Sequence, residues 1–259
     1  MGFKLFGTFI PYYGFFILIG IVCAGLLGYF LCKKLSLNID DFIIVCAYLL
    51  AFGFTGAKLL YIAVSYQNID FHSVFSSLEN FNSFFSSGFV FYGGLIGGFL
   101  ALFFVKKIHK IQVKEYIKIL APSLALAHAF GRIGCSFAGC CYGKETAGNI
   151  FFEYNDSLIA PNGIHLFPVQ AVESLSLFCL CIILVFLLLK NNKTKTHILY
   201  VIYYSIVRFI LEFFRGDVER GIFKFFSTSQ IISIMLFVGV IAYLIMKKIK
   251  NRLIVNNRF

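Results

Sequence analysis

Seven stretches of this sequence are apolar over nearly the length of about 20 residues that a helix needs to cross the hydrocarbon core of a bilayer. The whole chain of 259 residues is 59% hydrophobic and only 14% charged, whereas a soluble domain carries about 25% charged residues. We therefore predict an all-α integral membrane protein, with residues 1–259 forming a single polytopic membrane domain of about seven transmembrane helices. The stretches run over residues 12–32, 42–64, 88–105, 116–137, 168–189, 197–214 and 229–246.

The positions of the basic residues predict the orientation of these helices, because Lys and Arg are retained on the cytoplasmic side of a membrane. Clusters of them follow the first, third and fifth stretches and fill the C-terminal tail, while the loops on the opposite side carry few. We expect the N-terminus outside and the C-terminus in the cytoplasm. This asymmetry also accounts for the net charge of +11, so the charge indicates attraction to membrane lipids and no nucleic-acid partner.

Two segments on the outer side are long enough to form structures of their own. Residues 65–87 contain several Phe but no Lys or Arg, which predicts an interfacial arm lying at the level of the lipid headgroups. Residues 138–167 are polar, contain Gly and are strand-like at 149–154, which predicts a small external cap. The chain has no internal repeat, so the inverted-repeat architecture common in transporters has no support.

A few ionisable side chains fall within or at the edge of the apolar stretches, where such residues usually face a polar interior and mark a site. Arg208 and Glu212 are four residues apart on one helix face, a spacing that a structural ion pair would also explain. With Arg215 included, three guanidiniums oppose two carboxylates, and we expect an excess of positive charge. A lipid phosphate would neutralise it, because the planar fork of Arg binds two oxygens at once. The ionisable residues within the stretches are Lys58, Arg132, Glu173, Arg208 and Glu212.

Glycine is concentrated in two places. Gly93, Gly94, Gly97 and Gly98 place small residues four apart on one helix, a pattern that close helix packing explains by itself. The segment 131–143 holds four glycines at the end of a span. Glycines there would break the helix and expose backbone N–H groups, which is an arrangement suited to an anion.

Six short motifs follow one another along the chain. In these motifs, and over nearly its whole length, the sequence resembles the prolipoprotein diacylglyceryl transferases of bacterial plasma membranes. The motifs are Tyr12-Tyr13-Gly14, Phe91-Tyr92-Gly93-Gly94-Leu95-Ile96-Gly97, the glycine-rich segment 131–143, Pro168-Val169-Gln170 through Glu173, Arg208-Phe209-Ile210-Leu211-Glu212-Phe213-Phe214-Arg215 and Gln230-Ile231-Ile232-Ser233.

The resemblance implies an enzyme that moves the diacylglyceryl group of phosphatidylglycerol onto the lipobox cysteine thiol of lipoprotein precursors and releases glycerol phosphate. It implies a multi-pass protein of the bacterial plasma (inner) membrane whose partners are phosphatidylglycerol and precursor signal peptides, with no metal or organic cofactor. Arg132 and Arg208 would hold the phosphate and stabilise its developing negative charge. The residues implied to shape the headgroup pocket are Tyr13, Gly143, Gln170, Glu212 and Arg215.

Three positions depart from the family pattern: Tyr92 stands for a His, Cys135 for an Asn and Cys140 for a Glu. A general base works best with a pKa near about 7, whereas that of Tyr is near about 10. Tyr92 would act as the base only if neighbouring Arg residues lowered its pKa, and otherwise it donates a hydrogen bond. His128, one turn before Arg132, is an alternative base.

Three interpretations of the cysteines Cys135, Cys140 and Cys141 stay open. In the first, they are small packing residues with an external disulfide. In the second, they are metal ligands, although the sequence lacks the second cysteine pair that such a site usually has. In the third, they are nucleophilic thiolates near Arg132 that form a covalent intermediate with the lipid.

Two rival functions also stay open. One is a homologue with the same phospholipid donor and a different acceptor. The other is a non-enzymatic lipid or solute transporter, which would need polar residues continuing to the cytoplasmic side.

Overall fold

The fold is known from a computed structural model that describes residues 2–5, 8–86, 88–217, 222–223 and 226–256, and the statements below concern these residues. Arg220 and Lys224, two of the few cations predicted on the outer side, lie outside the described residues. The described helices are α1 Tyr12–Lys34, α2 Ile39–Ser65, α3 Phe71–Val74, α4 Leu78–Ser86, α5 Phe91–Ile108, α6 Val113–Ala138, α7 Val169–Lys190, α8 Thr196–Leu211 and α9 Thr228–Asn256.

Short strands precede the first and the last of these helices. Strand β1 (Gly2–Leu5) pairs antiparallel with β2 (Thr8–Pro11), directly before α1. Strand β3 (Ile222–Phe223) pairs antiparallel with β4 (Phe226–Ser227), directly before α9. Single 3-10 turns at Tyr66–Asn68 and Glu212–Phe214 extend α2 and α8. Each pair of strands forms a hairpin at the N-terminus of a helix, and the architecture of the described chain is helical.

All seven apolar stretches lie on helices, which confirms the prediction of an all-α membrane protein. Within the described part of the chain, five helices are long and apolar enough to cross a membrane. Helices α5 and α6 occupy the other two stretches but are not among the helices that meet this criterion of length and apolar composition. The number of seven transmembrane helices and their orientation therefore stay predictions. The five are Tyr12–Lys34, Ile39–Asn68, Val169–Lys190, Thr196–Phe214 and Thr228–Lys250.

The two long connecting segments differ in structure. Residues 65–86 contain the 3-10 turn and the short helices α3 and α4, and their position at the level of the lipid headgroups stays a prediction. Residues 139–168 hold mainly turns and isolated bridges around a small apolar cluster of Tyr154, Ala160 and Leu166. The strand expected at 149–154 is reduced to single bridges at Phe152 and Tyr154, because their partners, Leu166 and Asn162, lie in an irregular segment.

The chain divides into two compact units, one of Met1–Leu31 with Lys118–Phe259 and the other of Cys32–Ile117. In the second unit, α2 and α5 pack with their backbones in contact at glycines. A Cβ atom added at Gly97 would lie 2.8 Å from the carbonyl carbon of Phe52, and one at Gly93 would lie 2.6 Å from the Cβ of Leu60. The close packing predicted from the glycine spacing is therefore present, since only glycine fits at these positions.

Two neighbouring glycines allow this packing to be tested. We expect Gly97→Ala to lower the free energy of unfolding by about 1–3 kcal/mol, because the added methyl group meets backbone that cannot move aside. Gly98→Ala is the matched control, since its Cβ would meet only the Cδ2 of Leu49 at an ordinary 3.8 Å. Thermal unfolding in detergent measures both variants. Equal midpoints for the two would contradict the packing of α2 on α5.

The second unit also accommodates the charge of Lys58. The Lys58 ammonium group donates a hydrogen bond to the carbonyl oxygen of Phe84 on α4. It lies 3.8 Å from the ring centroid of Phe84 and 4.8 Å from that of Tyr61, so cation–π attraction also stabilises the charge. These contacts give Lys58 a structural role in holding α4 against α2.

In the first unit, α6 packs on α7 through small residues. Ala121, Ala125 and Ala129 of α6 form one buried cluster with Leu177, Leu180, Cys181 and Leu184 of α7. The hydroxyl group of Ser174 on α7 donates to the carbonyl oxygen of Ala129 at 2.9 Å. Since alanines let the two helices approach closely, the next turns of α6 and α7 bring Arg132 against Glu173.

Candidate functional site

The centre of the site is a buried carboxylate shared by two guanidiniums. Nη2 of Arg132 lies 3.0 Å from Oε1 of Glu173, and Nη1 of Arg208 lies 3.7 Å from Oε2 of the same residue. The three residues come from α6, α7 and α8, so packing of these helices, not sequence proximity, creates the contact. The structure thus brings together the two arginines for which the sequence predicted a common role.

Positively and negatively charged side chains alternate at the end of α8 and just beyond it. Nη2 of Arg208 lies 2.8 Å from Oε2 of Glu212, and the same oxygen lies 3.8 Å from Nη1 of Arg215. The guanidinium of Arg215 is paired in turn with the carboxylate of Asp217, to which its Nε donates at 2.8 Å. Among the described residues, three guanidiniums therefore meet three carboxylates. The excess positive charge that the sequence predicted is not seen among these described residues, because the sequence-based count left out Asp217.

Pairing explains how these charges are tolerated in an apolar surrounding. The side chain of Glu173 is 1% exposed and that of Arg208 is 8% exposed, and a buried charge is stable only when it is paired and hydrogen-bonded. Two hydroxyl groups add support. Tyr204 donates to Oε1 of Glu173 at 3.1 Å, and Ser229 accepts from Nη2 of Arg208 at 3.1 Å.

Arg132 is the least neutralised of the three guanidiniums. Its carboxylate contact within the described residues is with Glu173, which it shares with Arg208, whereas Arg208 and Arg215 each lie between two carboxylates. In addition, the buried Nε of Arg132 and Nη1 of Arg208 have no hydrogen-bond acceptor within the described parts of the chain. Two guanidinium donors on separate helices are therefore available at one place, and an oxyanion with several acceptor oxygens would satisfy them.

His128 also belongs to this polar cluster. Its Nε2 lies 4.0 Å from Oε1 of Glu173, and its Nδ1 lies 3.2 Å from the hydroxyl oxygen of Tyr200. His128 is therefore held one turn before Arg132, beside the carboxylate that both arginines contact. Its candidacy as a base remains a prediction.

Gly143, at the end of the glycine-rich segment, pairs with Arg215 through backbone hydrogen bonds. The two residues form an antiparallel bridge, in which the N–H of Lys144 donates to the carbonyl oxygen of Phe214 at 2.8 Å. A Cβ atom at Gly143 would lie 2.9 Å from the carbonyl carbon of Phe167, so a larger residue would push the Phe167 backbone away. The segment carrying Arg215 comes close because Gly216 follows it, where a Cβ atom would lie 2.9 Å from the carbonyl carbon of Gly143.

Helix α6 ends in a Schellman turn that shapes the cysteine segment. Gly139 has φ +73°, and the N–H of Cys140 donates to the carbonyl oxygen of Cys135 at 3.2 Å, as that turn requires. Cys141 follows with φ +58°, a left-handed conformation that is uncommon for a residue with a side chain. The fully buried side chain of Gln170 then holds the turn, because its Nε2 donates to the carbonyl oxygen of Cys140 at 2.9 Å.

This turn places the side chains of Cys140 and Cys141 next to that of Cys135. Cys135, Cys140 and Cys141 are free thiols, and their sulfur atoms all lie within 4.8 Å of one another. Hydrogen bonds from Cys135 and Cys140 lower the pKa of the Cys141 thiol, and the positive charges of Arg132 and Arg215 lower it further. The three cysteines are therefore adjacent to the arginine cluster, and the thiolate form is favoured at Cys141.

The two tyrosines predicted for the site lie in different units. Tyr13 is the second residue of α1 in the first unit, and its backbone packs against Gly134 of α6. Tyr92 lies at the start of α5 in the second unit and is 37% exposed. The role of Tyr92 as base or hydrogen-bond donor stays a prediction.

Sequence reasoning missed Asp217, Tyr204 and Ser229. Asp217 follows Arg215 by two residues, so a count that continued past the end of the span would have found it. Tyr204 precedes Arg208 by one helical turn, which places both on one face. No sequence signal identifies Ser229, because it reaches Arg208 from another helix.

Comparison with known proteins gives one consistent result. A family model described as "Prolipoprotein diacylglyceryl transferase" matches residues 1–246. A relative from Clostridium perfringens named "Phosphatidylglycerol--prolipoprotein diacylglyceryl transferase 2" is 38% identical over 252 residues, covering 96% of this chain and 95% of the relative. Relatives named "Phosphatidylglycerol--prolipoprotein diacylglyceryl transferase" are 39% identical in Clostridium tetani (93% of this chain, 95% of the relative) and 31% identical in Enterococcus faecalis (100% and 94%).

Proposed function

Since the chain belongs to the prolipoprotein diacylglyceryl transferase family, we propose that it transfers the diacylglyceryl group of phosphatidylglycerol to the lipobox cysteine thiol of lipoprotein precursors. The second product is glycerol phosphate. The observation that carries the proposal for the donor site is that Arg132 and Arg208 share one carboxylate while each keeps a donor nitrogen without an acceptor in the described structure.

The phosphate of the donor would bind at these free guanidinium donors. In the reaction, the acceptor sulfur forms a bond to the glyceryl carbon, and the bond from that carbon to the phosphate oxygen breaks. The electron pair leaves on the oxygen of glycerol phosphate, and the thiol proton passes to a base. Negative charge therefore grows on the phosphate in the transition state, and guanidiniums already in position stabilise it more than they stabilise the substrate.

The remaining pocket residues have supporting roles in this proposal. Glu212 and Asp217 hold the guanidinium of Arg215, Gly143 holds the Arg215 backbone through an antiparallel bridge, and Gln170 fixes the turn at Cys140. Tyr13 would contact the headgroup from α1. Tyr92 and His128 are the two candidates to take the thiol proton.

We further propose seven spans, with the arginine cluster on the outer side of a bacterial plasma membrane. The charges of the cluster lie near one end of α7 and α8 and near the last turns of α6, which is where an outer-leaflet headgroup would reach them. A transporter would instead need polar side chains along the whole crossing.

Transfer to a synthetic peptide tests the function. The purified protein, in detergent with phosphatidylglycerol, should increase the mass of a lipobox peptide by one diacylglyceryl group and release one glycerol phosphate per peptide. A peptide with Ser in place of its Cys is the matched control and should remain unmodified. Release of glycerol phosphate without modification of the Cys peptide would mean a different acceptor, and absence of both products would contradict the proposal.

A further inference from the structure

The cysteine group has the geometry of a metal site with one position left open. Zinc binds thiolate sulfur at about 2.3 Å, so tetrahedral ligands lie about 3.8 Å apart. The sulfur atoms of Cys135, Cys140 and Cys141 already lie within 4.8 Å of one another. Movements of about 1 Å or less would therefore bring all three into contact with one ion. A second cysteine pair is not required, because a catalytic zinc site uses three protein ligands and keeps the fourth position open.

The backbone holds this group in place before any ion arrives. The Schellman turn at Gly139 and the left-handed Cys141 direct both later cysteines toward Cys135. Gln170 and Tyr154 fasten the same turn, by hydrogen bonds to the carbonyl oxygens of Cys140 and Ser136. An uncommon conformation that surrounding contacts enforce is often found at functional sites.

We propose that Cys135, Cys140 and Cys141 bind one Zn²⁺ ion as three thiolate ligands, and that its fourth position receives the thiol of the acceptor peptide. The assignment of the fourth position rests on the proposed function, whereas the three-thiolate site stands on the geometry alone. Three thiolates and one Zn²⁺ carry a net charge of −1, which becomes −2 when the acceptor thiolate binds, and attraction to the neighbouring guanidiniums of Arg132 and Arg215 would reduce the cost of this charge.

Zinc at this position would activate the thiol of the acceptor peptide. A thiol that coordinates zinc is deprotonated outright, and its proton passes to solvent or to a nearby base. The zinc-bound sulfur then forms its bond to the glyceryl carbon while the carbon–oxygen bond to the phosphate breaks and its electron pair leaves with glycerol phosphate. The product sulfur is a thioether, which is a poorer ligand than a thiolate and would dissociate. No oxidant or reductant is required.

Cobalt binding tests the site without any substrate. The full-length protein in detergent, reduced and freed of metal, should take up one Co²⁺ per chain with the ultraviolet charge-transfer band of thiolate ligands, and Zn²⁺ should abolish the band. Cys135→Ser, Cys140→Ser and Cys141→Ser should each weaken Co²⁺ binding at least tenfold. Cys46→Ser and Cys179→Ser are the matched controls and should bind as the unchanged protein does.

A second measurement uses the unchanged protein, so it does not depend on the folding of variants. Bound Zn²⁺ should slow alkylation of the three cysteines at least tenfold, measured by mass spectrometry, and should leave the exposed Cys179 unaffected. Absence of the Co²⁺ band, or its persistence in Cys140→Ser, overturns the site. So does a disulfide between two of the three cysteines in protein purified without reductant, if the reduced protein then takes up no metal.

The open position is tested with the two peptides described above. The Cys peptide should change the Co²⁺ spectrum to that of four thiolates, whereas the Ser peptide should not. Removal of zinc should lower transfer at least tenfold, and its return should restore it. Transfer that is unaffected by complete removal of zinc overturns the role in thiol activation. No transfer with zinc bound, together with a normal Co²⁺ titration, instead overturns the proposed function and leaves the metal site standing.

Discussion

Replacement of Arg132 by Ala is expected to lower transfer of the diacylglyceryl group by about 100-fold or more, the size of effect seen when one preorganised donor to a developing oxyanion is removed. The variant should remain folded, because Glu173 keeps its contacts with Arg208 and the Tyr204 hydroxyl group. The measurement is the initial rate of glycerol phosphate release at saturating lipid, with thermal unfolding recorded on the same preparation.

Two further variants sharpen this prediction. Arg132→Lys retains the charge but loses the planar fork, so its rate should lie between those of Arg132→Ala and the unchanged protein. Lys33→Ala removes an exposed cation at the end of α1, far along the helix from the site, and should leave the rate unchanged. A rate for Arg132→Ala within a factor of two of the unchanged protein would show that the phosphate binds elsewhere.

Replacement of Glu173 by Gln should damage the fold itself. This carboxylate is 1% exposed and contacts both Arg132 and Arg208, so its loss leaves the Arg132 guanidinium without a carboxylate and the Arg208 guanidinium with Glu212 alone. Breaking a buried ion pair by removing one partner costs about 3–5 kcal/mol. We expect a corresponding fall in the thermal midpoint and in the yield of folded protein. Unfolding in detergent measures both.

The control for this variant is the same change at a surface ion pair. Glu153 lies 3.2 Å from Nε2 of His165, with both side chains more than 40% exposed, so Glu153→Gln should cost about 0–1 kcal/mol. The double variant Glu173→Gln with Arg132→Gln should recover part of the stability lost in Glu173→Gln, because it removes the cation that Glu173→Gln leaves without a carboxylate. A double variant less stable than Glu173→Gln would contradict the shared carboxylate.

The contrast between the two variants follows from the order of charges. Arg132 is the terminal member of an alternating series, whereas Glu173 lies between two cations. Removing the terminal member leaves every remaining charge with a partner. A cluster that tolerates loss of Arg132 but not of Glu173 would therefore hold a cation poised for a second anion, which is what a phospholipid substrate supplies.

Much of this organisation follows from the sequence. The apolar stretches determine the helices, because a chain with so few polar groups satisfies its backbone hydrogen bonds in lipid only by forming them internally. The paired spacing of Arg208 and Glu212 likewise fixes their contact, since residues four apart on a helix are neighbours. The glycine spacing alone does not show which glycine is needed for packing. Gly97 and Gly98 both belong to the pattern, yet of these two only Gly97 lies against the backbone of α2.

Only the tertiary structure decided the rest of the site. Nothing in the spacing of Arg132 and Glu173 sets their distance, because they lie on separate helices whose relative rotation depends on the packing of alanines against leucines. The position of Asp217 also could not be predicted from helical periodicity, because it follows the end of α8. The three cysteine sulfurs are brought together by the turn that ends α6, where helical periodicity no longer applies. Periodicity specifies contacts within an element, and contacts between elements depend on how side chains fill the space that separates them.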